Sequence, residues 1–362
     1  RPQFEENLAA ALQESPDPDI TLVRLERFLA ASHTPHLDLE LMAAAPRYTR
    51  LVATVLGQSH FLTDIVCRNP EYMMYLWEDA DLAQTRTRED LVREARSIVD
   101  LFDTFESRCE ALRRFRRREI LRIAARDVVA HCHVAAVADD LSNFADAACE
   151  AALRCARHEL KPRFGKPLAS GTRNEANFVA IGMGKLGARE LNFSSDIDLI
   201  FLYDESGETT GGTSSTLSNS EEFQKIGERL IKVLAEQTAE GIIFRVDMRL
   251  RPHGRMGPLA VDVESAIHYF ESEGHAWERQ ALIKARPVAG DLDLGGRFVE
   301  RTRPFVFPKY FDDETLEDIR NGKRQMEAQI AQRGETEIEV KLGRGGIRDI
   351  EFTVQMLQLL NG

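Results

Sequence analysis

Apolar residues recur at helical spacing along the first part of the chain. Residues 22–29 and 91–102 place apolar side chains three and four positions apart, which is typical of amphipathic helices. Glycine is almost absent before residue 163, and Asn69-Pro70 marks a break between two helices. We therefore predict a helical lead-in region over residues 1–163.

The pattern changes after a stretch rich in proline and glycine, residues 161–177. Short apolar runs separated by polar segments now predict strands, and a longer amphipathic run predicts a helix. The predicted elements are strands at 178–181, 196–203 and 242–250, a short helix at 185–191, a helix bearing Phe223, Ile226, Leu230, Val233 and Leu234 on one face, and a strand-like segment at 337–342. The rest of the chain beyond residue 264 is predicted to be mainly helical.

A polar tract at 205–220 is rich in glycine, serine and threonine. Ordering such a tract buries little apolar surface to offset the lost conformational entropy, so we predict a mobile loop. The elements on either side predict an α+β fold with a small mixed sheet between largely helical segments. Three parts are expected: the helical lead-in at 1–163, a catalytic core at 164–262, and a mainly helical C-terminal region at 263–362 that completes the active site.

Composition and charge limit the class of protein. The 362 residues are 43% hydrophobic and 29% charged, which is ordinary for a globular chain, and the net charge of −12 argues against a nucleic-acid partner. The five cysteines form no CxxC pair, so a reducing, cytoplasmic setting is expected. Apolar runs fall short of the roughly 18 residues of a membrane span, and we expect no membrane partner. The first residue is not methionine, which suggests a piece of a longer protein.

Two aspartates inside an apolar strand carry the first chemical signal. Asp196 and Asp198 lie two positions apart, so in a strand both carboxylates leave the same face. Two like charges beside a buried run are costly unless a cation or strong donors compensate them, and Mg²⁺ prefers oxygen ligands. Asp247, in the next apolar stretch, is a candidate third carboxylate. The alternative is a strand edge facing solvent, with Ser194 and Ser195 capping the carboxylates.

A glycine turn precedes the aspartate pair. Together with the carboxylates, the segment Gly182-x-Gly184-x-x-Gly187 suggests phosphoryl or nucleotidyl transfer. The same spacing also matches the dinucleotide-binding fingerprint, with Asp204 as its acidic residue. Only about 14 residues separate the two strands, which leaves too little room for the crossover helix that this fingerprint needs. A plain tight turn is the other alternative.

Arginines alternate with the third aspartate. If residues 242–250 form a strand, Arg245, Asp247, Arg249 and Arg251 share one face, which is either a solvated surface or a phosphate site. A second basic run, at 113–118, is expected to be a solvated helix face or, less often, a docking surface for an anionic partner.

Four segments, in this order and spacing, resemble the glutamine synthetase adenylyltransferase family. They are GMGKLGARELNFSSDIDLIF, RVDMRLRPHGRMGPLAV, WERQALIKARPVAGD and VKLGRGGIRDIEFTVQ. Members of this family are bifunctional, with one half that removes AMP from glutamine synthetase by phosphorolysis and another that adds it. NFSSDIDLIF, RVDMRLRP and VKLGRGGIRDIEFTVQMLQL are similar to the amino-terminal, adenylyl-removing half.

The resemblance implies a nucleotidyltransferase-like domain of the polymerase-beta superfamily. It implies that Asp196, Asp198 and Asp247 are catalytic and bind Mg²⁺ or Mn²⁺, with two ions expected. The turns approaching the nucleotide phosphates contain Gly182, Gly184, Lys185, Ser194 and Ser195. Arg249, Arg251 and Lys284 are our candidates for holding phosphate. The implied partners are adenylylated glutamine synthetase, phosphate, ADP and a PII-type signal protein. The alternatives are the adenylylating half and a non-catalytic module that binds a nucleotide or a PII-type protein.

Overall fold

The computed structural model describes residues 2–78, 82, 84–308, 317, 324, 340–341 and 345–361. The chain divides into two compact units. One comprises Arg1–Ala147, Glu190–Ser194 and Ala239–Gly241, and the other comprises Ala148–Arg189, Ser195–Thr238 and Ile242–Gly362. The three-part division made from the sequence stays a prediction.

Up to Ala147, the described residues of the first unit form helices joined by short connections, as predicted for the lead-in region. These are α1 (Pro2–Gln13), α2 (Pro18–Ala31), α3 (Pro35–Ala44), α4 (Pro46–Gln58), α5 (His60–Arg68), α6 (Glu71–Glu78), α7 (Arg88–Asp100), α8 (Phe105–Ala130) and the first part of α9 (Val134–Phe164). Proline occupies the first turn of α2, α3 and α4, where its missing N–H costs no helical hydrogen bond. The break predicted at Asn69-Pro70 separates α5 from α6.

The basic run at 113–118 lies on α8, and the prediction of a solvated face is wrong. Arg113 is 1% exposed and Arg117 is 7% exposed. Further along the same helix, Arg122 and Arg126 are also buried. Their charges are matched by acidic residues distant in sequence or one helical turn away: Arg117 pairs with Glu240, Arg118 with Glu94, Arg122 with Glu119 and Asp140, and Arg126 with Asp140. The run therefore belongs to a buried ion-pair network, and its buried members do not form a docking surface.

The second unit is built around a mixed sheet. Its elements after α9 are β1 (Pro167–Ala169), β2 (Phe178–Met183), α10 (Gly184–Gly187), β3 (Ile197–Tyr203), β4 (Gly207–Thr209), α11 (Asn219–Ala235), β5 (Val246–Asp247), β6 (Ala260–Asp262), α12 (Val263–Ser272), α13 (Ala276–Leu282), β7 (Arg286–Gly290), α14 (Leu292–Val306) and α15 (Ile347–Asn361). The strand order is β5-β3-β2-β7, and β6 also pairs with β3. The β2 strand runs antiparallel to β3 and β7, whereas β5 and β6 run parallel to β3. The predicted α+β fold with a small mixed sheet is confirmed.

Both faces of the central strands are covered. Ile200 and Leu202 belong to a cluster of buried apolar side chains that also includes Phe270 of α12 and Phe298 of α14. On the opposite face, the Phe201 ring lies 5.4 Å from the Phe178 ring of β2, centroid to centroid, and packs closely against Gly227 of α11. Such two-sided burial explains why β2 and β3 read as continuous apolar runs rather than as alternating patterns.

Two predicted elements are shorter than expected. The helix predicted at 185–191 is the single turn α10, because Arg189 takes a left-handed conformation with φ of 60° that ends the helix. The strand predicted at 242–250 is reduced to β5, Val246–Asp247. Ile243 and Phe244 instead donate their backbone N–H groups to Leu234 O at the end of α11, at 2.9 Å each.

The interpretation of 205–220 as a loop is wrong in part. Within this tract, β4 pairs antiparallel with β1. Asn219 Nδ2 donates to Leu168 O and Glu205 O, at 3.0 and 2.9 Å. Thr209 is only 3% exposed. The tract is thus anchored by polar contacts, which a search for apolar anchors does not detect.

Most of the strand predicted at 337–342 lies outside the described residues. Within the part of the chain that the structure describes, no helix is long and apolar enough to cross a membrane.

Candidate active site

The aspartates predicted as a catalytic set meet where two parallel strands lie side by side. The register pairs Ile197 of β3 with Val246 of β5, and Asp198 with Asp247. Asp196 precedes β3 directly. The short β5 therefore brings a carboxylate from almost fifty residues further along the chain next to the aspartate pair. Three carboxylates gather at one end of the sheet.

Asp198 carries the strongest electrostatic perturbation of the three. Burial, together with the neighbouring negative charges of Asp247 and Asp196, raises the pKa of its carboxyl from 3.8 to about 6. The positive charges of Arg249 and Lys341 act in the opposite direction on the same pKa. Excess negative charge at a partly buried carboxylate is the electrostatic signature expected of a cation-binding or catalytic group.

The two outer aspartates are held by arginines. Asp196 accepts a hydrogen bond from Arg245 Nε, and both side chains are largely exposed. Asp247 is more enclosed, with a side chain 16% exposed. Arg249 donates to it from the backbone N–H at 2.9 Å and from Nε at 2.7 and 3.0 Å, with a further bond from Nη2. Hydrogen bonding by the Arg249 side chain lowers the pKa of Asp247.

The glycine turn is shaped by close approaches of the backbone. Gly184 has φ of +53° and lies directly against the Asp198 carboxylate. A Cβ on Gly187 would lie 1.7 Å from Lys284 O, so only glycine fits beside the chain that leads into β7. Arg286 of β7 donates to the Leu186 and Gly187 carbonyls at 3.1 and 3.3 Å, which fastens the turn to the sheet.

The topology excludes the dinucleotide-binding alternative. The strands on either side of the glycine turn run antiparallel, whereas the dinucleotide fold needs a parallel pair joined by a crossover helix. Asp204, the acidic residue of that fingerprint, accepts hydrogen bonds from the backbone N–H and Nδ2 of Asn177 at 2.7 and 2.8 Å. Asp204 therefore has a structural role at the start of β2.

The predicted phosphate-binding residues fall into different settings. Arg251 donates to the carbonyls of Met248, Pro258 and Gly257 at 2.7, 3.0 and 3.1 Å, and so holds together the loop after β5. Because β5 ends at Asp247, the strand face that was to align Arg251 with Asp247 does not exist. Lys284 Nζ lies 3.4 Å from Glu351 Oε1 of α15. Arg249 is bound to a predicted catalytic carboxylate, that of Asp247.

The remaining predicted residues lie in β2, in α10 and in the turn before β3. Gly182 is buried in β2, and Lys185 is half-buried in α10. Ser194 is exposed and Ser195 half-buried in the turn before β3, where Ser194 N–H donates to Asn192 Oδ1 at 3.3 Å. Their binding roles stay predictions.

Sequence reasoning did not assign three basic residues to the carboxylates that they influence. Arg245 pairs with Asp196, the charge of Lys341 acts on Asp198, and the charge of Arg255 acts on Asp247. The signal available for Lys341 was its place in the VKLGRGG segment. Arg245 was visible only as one of several alternating arginines, and nothing local distinguished it from Arg251.

The donor chemistry fits a divalent cation. The three carboxylates offer hard oxygen ligands, and the pKa of Asp198 is raised by burial and by the negative charges of Asp247 and Asp196, which a bound cation would offset. Among the residues that the structure describes, no three acidic, histidine or cysteine side chains converge closely enough to form a complete ligand set. Arg245 forms an ion pair with Asp196, and Arg249 forms one with Asp247, so these two arginines supply positive charge at the two carboxylates.

Comparison with known proteins fits this geometry. A family model for glutamate-ammonia ligase adenylyltransferase matches residues 49–301, which include all three aspartates. The chain belongs to this family. The resemblance inferred from the four motifs is confirmed, and the fold is the nucleotidyltransferase-like fold expected from it. A second model, for GlnD PII-uridylyltransferase, matches residues 318–362.

Curated relatives within this family share more than a third of their aligned residues with the chain. A bifunctional glutamine synthetase adenylyltransferase/adenylyl-removing enzyme from Pseudomonas putida is 36% identical over 341 residues, covering 94% of the chain and 35% of that protein. The protein of the same name from Nitrosococcus oceani is 39% identical over 338 residues, covering 93% of the chain and 34% of that protein. The chain thus spans about a third of the length of these relatives.

Proposed function

We propose that this chain removes AMP from adenylylated glutamine synthetase by metal-dependent phosphorolysis. The observation that carries the proposal is the pairing of Asp198 with Asp247 across β3 and β5, beside the glycine turn. This arrangement suits transfer of a nucleotidyl group, and the bifunctional relatives act on glutamine synthetase by name. The choice of removal over addition rests on the similarity of NFSSDIDLIF and RVDMRLRP to the adenylyl-removing half.

In the proposed reaction an oxygen of inorganic phosphate attacks the α-phosphorus of the AMP group. A new P–O bond forms, and the bond between phosphorus and the tyrosine oxygen breaks. The products are ADP and tyrosine, whose phenolate takes up a proton. Phosphate is already a competent nucleophile near neutral pH, so the site must mainly neutralise and position charge.

Different residues of this chain would neutralise charge and position the phosphate. Arg249 presents a planar guanidinium, 65% exposed, whose orientation Asp247 fixes through two side-chain nitrogens. A guanidinium held in this way can bind phosphate oxygens in a bidentate manner. The Asp198 carboxylate is more buried than that of Asp196, and its negative charge would attract a cation. Gly184 keeps the backbone of the turn within reach of Asp198 without a side chain between them.

Asp196, Asp198 and Asp247 would hold Mg²⁺ or Mn²⁺, and we propose two ions. Cations held there would supply positive charge to offset the negative charge of the attacking phosphate oxygen and of the leaving tyrosine oxygen. For the ions to bind, the Asp196 and Asp247 carboxylates must exchange part of their contact with Arg245 and Arg249.

The partners follow from the same proposal. Adenylylated glutamine synthetase is the protein substrate, and phosphate and ADP are the small-molecule substrate and product. The match of residues 318–362 to a PII-uridylyltransferase model supports regulation by a PII-type signal protein. A cytoplasmic location is part of the proposal, since glutamine synthetase must be accessible.

The test is incubation with adenylylated glutamine synthetase, ³²P-orthophosphate and Mg²⁺ or Mn²⁺. Labelled ADP should form, with the label in the β-phosphate, and free phosphate should be required. Asp247→Asn should abolish most of this activity, while Asp293→Asn, at an exposed position in α14, should retain it.

Two outcomes would contradict removal by phosphorolysis. Unlabelled AMP as the sole product would indicate a hydrolase. Transfer of AMP from ATP to unmodified glutamine synthetase, with no ADP formed from phosphate, would indicate the adenylylating half.

A further inference from the structure

A cavity of about 690 Å³ opens in the second unit, next to Arg249. One side is formed by the short 3-10 turn at Gly254–Met256 and its neighbour His253, and the other by the end of α12 and the start of α13. Arg249 lines the cavity and also binds Asp247. The cavity is therefore connected to the candidate active site through one side chain. Its volume lies within the range of small-ligand sites.

The lining of this cavity is aromatic in composition. Trp277 contributes a large apolar ring that is 44% exposed. His253 and Tyr269 pack edge to face with ring centroids 4.4 Å apart. Met256, 93% exposed, adds a flexible apolar side chain at the rim. Together these side chains give the cavity a flat apolar surface on which a ring can stack.

The wall behind the aromatic residues is fixed rather than adaptable. Glu278 is 2% exposed, and its two oxygens accept hydrogen bonds from Tyr269 Oη at 3.0 Å and from the His275 backbone N–H at 2.8 Å. These bonds tie the end of α12 to α13, on which Trp277 lies. Trp277 is thus carried by a preformed element, which lowers the entropy cost of binding a ring against it.

The cavity joins two kinds of chemistry. At Arg249 it offers a positive charge shared with the carboxylates, and at Trp277 it offers a flat apolar surface. A ligand that matches both ends has an anionic phosphate attached through a short linker to a flat aromatic ring. A nucleoside monophosphate unit has this form, whereas phosphate or pyrophosphate alone would leave Trp277 uncovered.

We propose that this cavity binds the purine base of the adenylyl group, with Trp277 as the surface on which the base stacks. This inference rests on the proposed adenylyl transfer, in either direction. Glu273, exposed on the same wall with Oε2 4.0 Å from His253 Nδ1, offers a carboxylate that could accept a hydrogen bond from the exocyclic amino group of adenine. Guanine would present a carbonyl oxygen at the corresponding position, so the cavity favours adenine.

The chain contains only two tryptophans, Trp77 and Trp277, which allows a direct test. In Trp77→Phe the fluorescence of Trp277 is observed alone, and ADP is titrated against the 362-residue chain with pyrophosphate as the probe that lacks a base. ADP should quench the fluorescence in a saturable manner, and pyrophosphate should not. Trp277→Ala should weaken ADP binding roughly five- to 150-fold, because stacking on an aromatic ring contributes about 1–3 kcal/mol per base. Trp277→Phe should retain most of the affinity, and GDP should bind more weakly than ADP.

Other outcomes separate this inference from the proposed function. If ADP binds without changing Trp277 fluorescence and Trp277→Ala binds it equally well, the base lies elsewhere and the inference is overturned, whether or not phosphorolysis occurs. A response of Trp277 to glutamine synthetase alone, and not to ADP, would also overturn it, since the cavity would then hold a protein segment. If ADP quenches Trp277 but labelled ADP never forms from phosphate, the base site stands and phosphorolysis fails.

Discussion

Gly184 lies so close to Asp198 that a Cβ on the glycine would be 2.7 Å from Asp198 Oδ2. The φ of +53° at Gly184 is also one that side-chain-bearing residues adopt only at a cost. The turn after β2 and the central carboxylate of β3 are therefore fitted to each other. The register supports this, since Met183 pairs with Asp198 across the two strands.

Gly184→Ala should impair activity more than it impairs folding. The added methyl group must displace the Asp198 carboxylate or shift the turn, and a misplacement of about 1 Å can cost on the order of a hundredfold in rate. We expect a loss of roughly tenfold to a hundredfold in turnover, with about 1–3 kcal/mol lost in the free energy of unfolding. Phosphorolysis rates and urea unfolding measure the two effects.

Gly296→Ala is the matched control for this substitution. Gly296 lies in α14, and no atom lies within 4 Å of an added Cβ. The exchange should stabilise the helix by roughly 0.5–1 kcal/mol and leave turnover unchanged. Equal activity of the two variants would mean that the contact between Gly184 and Asp198 has no functional weight.

Much of this fold was predictable because its elements carry their own periodic signal. The helices of the first unit, β2, β3 and α11 all have local apolar patterns long enough to identify them. The short strands β1, β4 and β6 do not. Each has only three residues and exists because a distant strand pairs with it, as Gly207–Thr209 does with Pro167–Ala169. β7 was missed for a similar reason, since it is recruited to the sheet by β2.

In the candidate site, too, some features follow from the local sequence and others depend on contacts with distant parts of the chain. The proximity of Asp198 and Asp247 could be anticipated, since each lies in an apolar run and the family resemblance links them. The partners of the arginines could not be anticipated from the sequence. Whether Arg251 faces phosphate or a backbone carbonyl depends on where β5 ends, and that end is set by tertiary contacts of 243–244 with α11. The burial of Arg122 depends likewise on helices distant in sequence.

Arg251→Ala should destabilise the protein instead of weakening phosphate binding. Four carbonyl groups, those of Met248, Arg255, Gly257 and Pro258, would lose the guanidinium that holds them, at an expected cost of about 1–3 kcal/mol in the free energy of unfolding. The phosphate concentration needed for half-maximal rate should stay within about twofold of the wild-type value. Thermal unfolding and phosphate titrations of the initial rate provide the measurement.

Arg249→Ala is the contrasting variant. Its side chain is largely exposed, so stability should change little, while the phosphate requirement should rise. If the phosphate requirement rose in Arg251→Ala and stayed unchanged in Arg249→Ala, the assignment of the two arginines would be reversed.

Arg122→Met should be strongly destabilising although it preserves most of the side-chain volume. Glu119 and Asp140 have fully buried side chains, and each loses a charged partner. Breaking a buried ion pair from one side costs about 3–5 kcal/mol. Urea unfolding monitored by circular dichroism gives the change in free energy.

The exposed pair between Arg93 and Asp90 serves as the control, with side chains 74% and 47% exposed. Arg93→Met should change stability by less than about 0.5 kcal/mol, since exposed pairs contribute little. If both substitutions lowered the free energy of unfolding by the same amount, the buried ion pairs of α8 would contribute no more to stability than an exposed pair.

Asp198→Asn should stabilise the protein near neutral pH in the absence of divalent cations. The folded-state pKa of Asp198 is raised from 3.8 to about 6, so folding disfavours its ionised form. A carboxyl with a raised pKa contributes stability that is fully present below its unfolded pKa and is lost as the pH rises through the folded value. The free energy of unfolding should therefore fall by about 1–2 kcal/mol between pH 4 and pH 7, after allowance for partial solvent exposure.

Urea unfolding in the presence of a chelator, at intervals from pH 4 to pH 7.5, measures this dependence. The Asp198→Asn curve should be flatter than that of the wild type, whereas Asp293→Asn, at an exposed position, should follow the wild type. Asp247 does not mask the effect, because Arg249 lowers its pKa and keeps it ionised over this range. Excess Mg²⁺ should reverse the wild-type slope above pH 6, since the cation binds the ionised carboxylates and the native state gains their binding energy. A wild-type slope that Mg²⁺ leaves unchanged, or that survives in Asp198→Asn, would show that this carboxylate is not the group that couples cation binding to folding.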